Sequence, residues 1–138
     1  MTEPSIEPFA RAHVDGLIAL LAAEGWTEYT DDVERTFGAL TAPGVTTLVA
    51  LLGGRVAGAI QVQSDGRIQA HVSMLLIARD ARGLGLGSRL LREGLDRAGA
   101  MQIDIRTRTE GYYERLGASR SLGFRLTRED LGLSSGAD

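Results

Sequence analysis

The sequence predicts an α/β fold of the α+β type. It should have a mixed central sheet, built from an antiparallel meander and then a strand–loop–helix–strand unit, with helices on both faces. Three observations carry that expectation. Two turn signals, Gly53-Gly54 and Asp65-Gly66, divide residues 46–77 into three strand-like runs. The last run ends in Met74-Leu75-Leu76-Ile77 and leads into a glycine-rich stretch, Arg79–Ser88, read as RDARGLGLGS. An amphipathic segment starting near Leu90 follows, and two segments of helical period precede the meander.

Taken in order, Ser5–Phe9 is a short extended piece, and Pro8 suits a sheet edge or a strand end. Val14, Leu17, Ile18 and Leu21 fall at helical spacing and predict a helix from about Ala12 to Ala23, ended by Gly25. A second helix is expected from Asp31, with Asp31 and Glu34 as a capping-box-like pair. Val33, Phe37 and Leu40 form its apolar side, and Pro43-Gly44 stops it. Strands are expected over Thr46–Leu52, Arg55–Gln63 and Arg67–Ile77. Alternation fails at Met74–Ile77, so that end is buried on both sides or carries a bulge. Then come a helix over Ser88–Ala98 and a strand over Met101–Thr107, forming a parallel crossover. A helical turn at Tyr112–Leu116 and a strand at Gly123–Thr127 complete the reading, with a frayed tail from Leu131 to Asp138.

Composition narrows the function. A chain of 138 residues suits one domain, residues 1–138, with one core. No apolar run approaches the ~20 residues that span a bilayer, and MTEPSIEPFA has no signal-peptide core, so a cytoplasmic location is expected and no membrane partner. The absence of cysteine excludes disulfides, thiolate metal sites and a cysteine nucleophile. With two isolated histidines, no metal is expected. All 15 basic residues are arginine, which excludes a lysine Schiff base and a P-loop lysine. A net charge of −3 speaks against nucleic acid as a partner. The charge is uneven: residues 1–34 hold eight acids and one arginine, residues 35–138 ten acids and fourteen arginines. Solvated surface charge would explain this, as would complementary partners of opposite sign.

A strand, a glycine-rich loop and a helix in that order make an anion site. Glycines expose backbone N–H groups, the helix adds its positive dipole end, and Arg82 adds a fork of donors suited to phosphate. A phosphorylated cofactor is therefore the first expectation. Gly83-Leu84-Gly85, with Asp104 21 residues after Gly83, invites comparison with a dinucleotide fingerprint. Five residues separate Ile77 from Gly83, Asp104 lies inside a short strand, and too little chain remains for a doubly wound sheet. That reading loses.

Arg82-x-x-Gly85-x-Gly87 directly after the strand resembles the central motif of the GNAT superfamily of acyl-CoA-dependent N-acyltransferases, and the order of elements is similar over most of the chain. The resemblance implies acetyl-CoA as co-substrate. Backbone amides of Arg82, Gly83, Leu84, Gly85, Leu86, Gly87 and Ser88 would hold its pyrophosphate, and the main chain of Leu75, Leu76 and Ile77 would pair with its pantetheine arm. It also implies direct transfer of the acetyl group to a primary amine of a small molecule or peptide, and leaves room for a homodimer.

Tyr112-Tyr113-Glu114-Arg115-Leu116-Gly117 is similar to the family string whose tyrosine protonates the departing thiolate, which by match is Tyr113. A phenol with a pKa of about 10 is a competent donor. The string departs from the family at Ala118 and at Arg108–Gly111, which leaves Tyr112 as an alternative acid. His71 lies 11 residues before Arg82, where family members place a base. An ordinary strand histidine, a water-chain base or no base are the alternatives. Trp26 and Tyr29, among Glu24, Glu28, Asp31 and Asp32, would wall the acceptor site against a cationic amine; Trp26 would serve equally as a core plug. A catalytically silent CoA-binding or regulatory module of the same fold is the rival function.

Overall fold

Local chemistry sets the first turns of the fold. A computed structural model describes residues 3–107 and 111–134, which fall into two compact units divided between Ile105 and Arg106. In the first unit, β1 (Ser5–Pro8) runs along the edge of the sheet, antiparallel to β2 (Val45–Leu52). Gly53 and Gly54 both take positive φ, and the tight turn they make returns the chain as β3 (Arg55–Ser64). Next comes β4 (Gln69–Ile77), antiparallel to β3; after helix α3 (Leu86–Ala98) the chain forms β5 (Gln102–Ile105), parallel to β4. The sheet order is β1-β2-β3-β4-β5, mixed as expected.

The helices cover both faces. Gly94 of α3 lies so close over β3 that a Cβ there would stand 3.2 Å from Ile60 Cδ1 and Val62 Cγ2. On that side Leu86, Leu90, Leu91 and Ala98 are buried. Gln61, between Ile60 and Val62, points to the opposite face by strand alternation, and its Nε2 donates to the Ala39 carbonyl of α2 (Val33–Leu40). Helix α1 (Val14–Ala23) buries Val14, Leu17 and Leu21 of the predicted stripe, and Leu20 is buried in place of Ile18, which is half-buried.

Several boundaries differ from expectation, each for a local reason. The cap of α2 is Asp32, whose side chain accepts the Arg35 amide at 3.1 Å, and not an Asp31–Glu34 pair; Glu34 instead meets Arg11 at 2.8 Å. Val33, expected on the apolar side, is exposed, and Thr36 is buried with Leu40 in its place. Strand β4 starts at Gln69, two residues late. The Asp65 carboxylate has already taken the amides of Arg67 and Ile68 at 2.8 Å and reaches that of Gln69, a turn that also holds the Asp65 pKa down. The bulge in β4 falls at Ser73: Gln61 pairs with Met74 and Val62 with Val72, leaving Ser73 as the extra residue. Helix α3 begins two residues early, at Leu86.

The second unit holds α4 (Tyr112–Arg115), as expected. The strand expected at Gly123–Thr127 is not formed. Residues 121–127 adopt no regular structure, and Leu122, Phe124 and Leu126 are exposed. Alternating apolar residues make a strand only where a ladder partner and an apolar face receive them, and neither is supplied among the described residues of this unit. Arg108, Thr109 and Glu110, where the tyrosine string departs from the family, lie outside the described residues, as do Ser135–Asp138 of the tail. Among the described residues no helix is long and apolar enough to cross a membrane.

Candidate functional site

Strand β4 is paired on its two sides to different extents. Toward β3 it stays paired through Ile77, opposite Gly58. Toward β5 its pairing covers only Gln69 to Val72, opposite Gln102 to Ile105. From Ser73 onward, and so at Leu75, Leu76 and Ile77, no described strand pairs on the β5 side. The bulge at Ser73 sits where the two strands part, which follows from the added twist a bulge puts into a strand. The outcome is a stretch of main chain able to take an extended ligand as one more strand.

That stretch leads through one turn into the glycine loop. The Ala78 amide donates to the Ala57 carbonyl at 2.7 Å, and a turn at Arg79–Ala81 buries Ala81. Gly83 and Gly85 then take φ of +82° and +77°. A Cβ at either would meet nothing within 4 Å, so glycine is demanded there by the backbone angle and not by crowding. Gly85 is the N-cap of α3 and brings no side chain to cap the first-turn amides, and no acidic residue lies in that first turn. The positive end of a 13-residue helix therefore faces the loop with no carboxylate of its own at that end.

Arg82 is held at the start of this loop. Its Nε donates to the Ile77 carbonyl at 3.1 Å, and its Nη2 lies 2.5 Å from Glu24 Oε1, at the C-terminal end of α1. Leu84 is exposed, while Leu86 is fully buried and anchors the helix start in the core.

On the α1–α2 side of β4, a buried polar node joins three elements. Gln61 Oε1 accepts from Ser73 Oγ at 2.8 Å and from Tyr29 Oη at 3.3 Å, while Gln61 Nε2 donates to Ala39. Tyr29 is fixed from behind by Thr36 Oγ1, which donates to its carbonyl at 2.6 Å. Trp26 packs against Tyr29 with ring centroids 5.9 Å apart, and both are half-buried. His71 lies two residues before Ser73, half-buried, in register with Gln63 of β3 and Asp104 of β5. Inspection of the sequence passes over Gln61, although a lone polar residue inside the apolar run Ala57–Val62 is the signal that marks it.

In the second unit, Tyr113 is half-buried and its ring meets Tyr112 edge-on at 4.9 Å. Burial, and secondarily the neighbouring phenol, push its pKa above the ordinary tyrosine value. Gly111 starts α4 with a positive φ, and Glu114 reaches back to its amide at 3.1 Å. Among the described residues no group of histidines and carboxylates could hold a metal ion.

The model of the Acetyltransferase (GNAT) family matches residues 11–118 of this chain. The chain belongs to the GNAT family. Solved structures share its fold. An acetyltransferase from Trypanosoma brucei aligns at 17% identity over 90% of this chain and 99% of its own, with a TM-score of 0.74. A GNAT family protein from Streptococcus pneumoniae aligns at 22% identity over 91% and 99%, TM-score 0.71. AAC(6')-Iy, solved with the bisubstrate analog CoA-S-monomethyl-acetylneamine, aligns at 14% identity over 91% and 99%, TM-score 0.67. No curated protein matches the chain. Membership of the GNAT family speaks against the dinucleotide reading of the glycine loop.

Proposed function

We propose that the protein is an acetyl-CoA-dependent N-acetyltransferase that acetylates a primary amine of a small molecule or peptide by direct attack. The observation that carries this reading is the one-sided pairing of β4 from Ser73 to Ile77, which leads through the Arg79–Ala81 turn into the glycine loop and the N-terminus of α3. An extended amide-bearing arm followed by a pyrophosphate is the ligand whose chemistry suits a free strand edge followed by a cradle of amides. The bisubstrate analog CoA-S-monomethyl-acetylneamine bound to AAC(6')-Iy supports an amine as the acceptor.

In this reading the backbone N–H groups of residues 82–88 bind the pyrophosphate, and the main chain of Leu75, Leu76 and Ile77 pairs with the pantetheine arm. The neutral amine attacks the thioester carbonyl carbon. An amide near Leu76 or Ile77 donates to the oxygen that gains charge. The C–S bond breaks, Tyr113 gives its phenolic proton to the thiolate, and the proton lost by the amine passes to His71 or water. The products are an amide and free CoA. Trp26 and Tyr29, braced by Gln61 and Thr36, form an aromatic wall beside acidic residues, which favours a cationic acceptor.

The test is direct. Acetyl-CoA should raise the melting temperature, by mass action on the folded state, and Gly85→Glu, which places a side chain and a negative charge at a positive-φ position, should abolish the rise. A panel of primary amines should then release free CoA. Binding without release for any amine would favour the silent CoA-binding module, and no thermal shift at saturating acetyl-CoA would overturn the reading.

A further inference from the structure

The arginine of the glycine loop is already engaged on two sides. Its Nε is bonded to the last carbonyl of β4, at Ile77, and its Nη2 to Glu24, whose side chain is only 16% exposed. Glu24 is the residue that ends α1, with its amide bonded back to the Leu20 carbonyl, so its carboxylate stands on a fixed base. The guanidinium thus bridges the end of a central strand and the end of a helix 58 residues away in sequence. The chain at Arg82 is extended, with φ −74° and ψ 156°, and the side chain turns back toward β4 while the backbone proceeds to Gly83 and Gly85.

We propose that Glu24 is a positioning residue for acetyl-CoA, and that the Arg82 guanidinium is a strut held between Glu24 and Ile77 and, unlike the Arg82 amide, not itself a ligand of the phosphates. The strut fixes where the backbone leaves β4 and so aims the amides of residues 82–88. An arginine suits this because its rigid fork can serve a carbonyl and a carboxylate together, which a lysine cannot do with fixed geometry. The inference rests on the proposed use of the loop for acetyl-CoA.

The strut and the ligand roles predict opposite signs for Glu24. If Arg82 contacts phosphate directly, Glu24 competes for it, and Glu24→Gln should tighten acetyl-CoA binding. If Arg82 is a strut, Glu24→Gln should weaken binding about as much as Arg82→Ala does. The double variant should then be no weaker than the weaker single, because both remove one device. Calorimetric titration of wild type, Glu24→Gln, Glu24→Asp, Arg82→Ala, Arg82→Lys and the Glu24→Gln/Arg82→Ala pair with acetyl-CoA decides between them. We expect a loss of about tenfold in affinity for each single removal, partial recovery in Glu24→Asp, and a KM effect with kcat at saturation nearly kept. Circular dichroism identifies any variant that fails to fold, and Glu24→Asp keeps the question answerable if Glu24→Gln does. Glu24 variants that bind as wild type does, or more tightly, would overturn the strut alone. Wild type that binds no acetyl-CoA would overturn the proposed function and the strut with it.

Discussion

At the scale of single residues, Tyr113 combines partial burial with a raised pKa, caused first by desolvation and then by Tyr112. The folded protein therefore favours the neutral phenol. Its stabilising contribution is complete below the ordinary value of about 10 and is lost only as pH rises through the raised value. A proton donor that is fully protonated at neutral pH is what a departing thiolate requires. Tyr113→Phe should lower kcat by more than about tenfold with acetyl-CoA affinity kept, since the bond lost is made mainly in the transition state. Steady-state kinetics with calorimetry would show it. Impairment of Tyr112→Phe in place of Tyr113→Phe would move the assignment by one residue.

At the scale of elements, the parts that were legible in the sequence are those fixed by short-range chemistry. Gly53, Gly54 and Gly66 mark the hairpins because few residues tolerate their backbone angles, and the stripe Val14, Leu17, Leu21 marks α1 because its neighbours are its own. The glycine loop is legible for the same reason. What the sequence did not reveal depends on distant partners. Neither Gln61 with Tyr29 and Ser73, nor Glu24 with Arg82, leaves a local trace stronger than a polar residue in an apolar run. The cap of α2 was misplaced by one residue because Asp31 and Asp32 are equivalent as letters, and only the backbone decides which carboxylate meets the Arg35 amide. Helix α4 offers an element-scale test. Glu114 Oε1 accepts from the Gly111 amide and Oε2 from Arg120 Nε at 2.7 Å; the Arg120 bond, more than the backbone amides, lowers its pKa. A lowered carboxylate stabilises α4 above its ordinary pKa, about 4.3, and that contribution is lost as pH falls through the lowered value. An NMR titration of the Gly111 amide should give a midpoint below the ordinary glutamate value, and Glu114→Gln should remove the transition. A midpoint at or above that value would contradict the contact.

At the scale of the whole molecule, the strand that failed to form at Gly123–Thr127 and the composition of the chain bear on different questions. Leu122, Phe124 and Leu126 alternate as a strand should, yet pairing is a property of the fold and not of the segment, so periodicity alone could not decide it. Composition is decisive about nucleophiles. With no lysine and no cysteine, the only aliphatic amine of the chain is its α-amino group, whose pKa of about 8 leaves a fraction neutral at pH 7. A direct-transfer enzyme parks no acetyl group on its own side chains. Protein incubated with acetyl-CoA alone should therefore gain at most one acetyl group, at the N-terminus, as read by intact-mass spectrometry and peptide mapping. An adduct on Ser73, Ser88, His71 or a tyrosine that disappears when an amine is added would mean a covalent intermediate. Ser73 is the informative case. Its hydroxyl stands at the bulge where β4 parts from β5, and it donates to Gln61 Oε1. That bond directs the hydroxyl to a carboxamide oxygen, which is far too weak a base to activate it. Acetylation there would require His71, two residues earlier, to reach it, and direct attack by the amine would have to be abandoned.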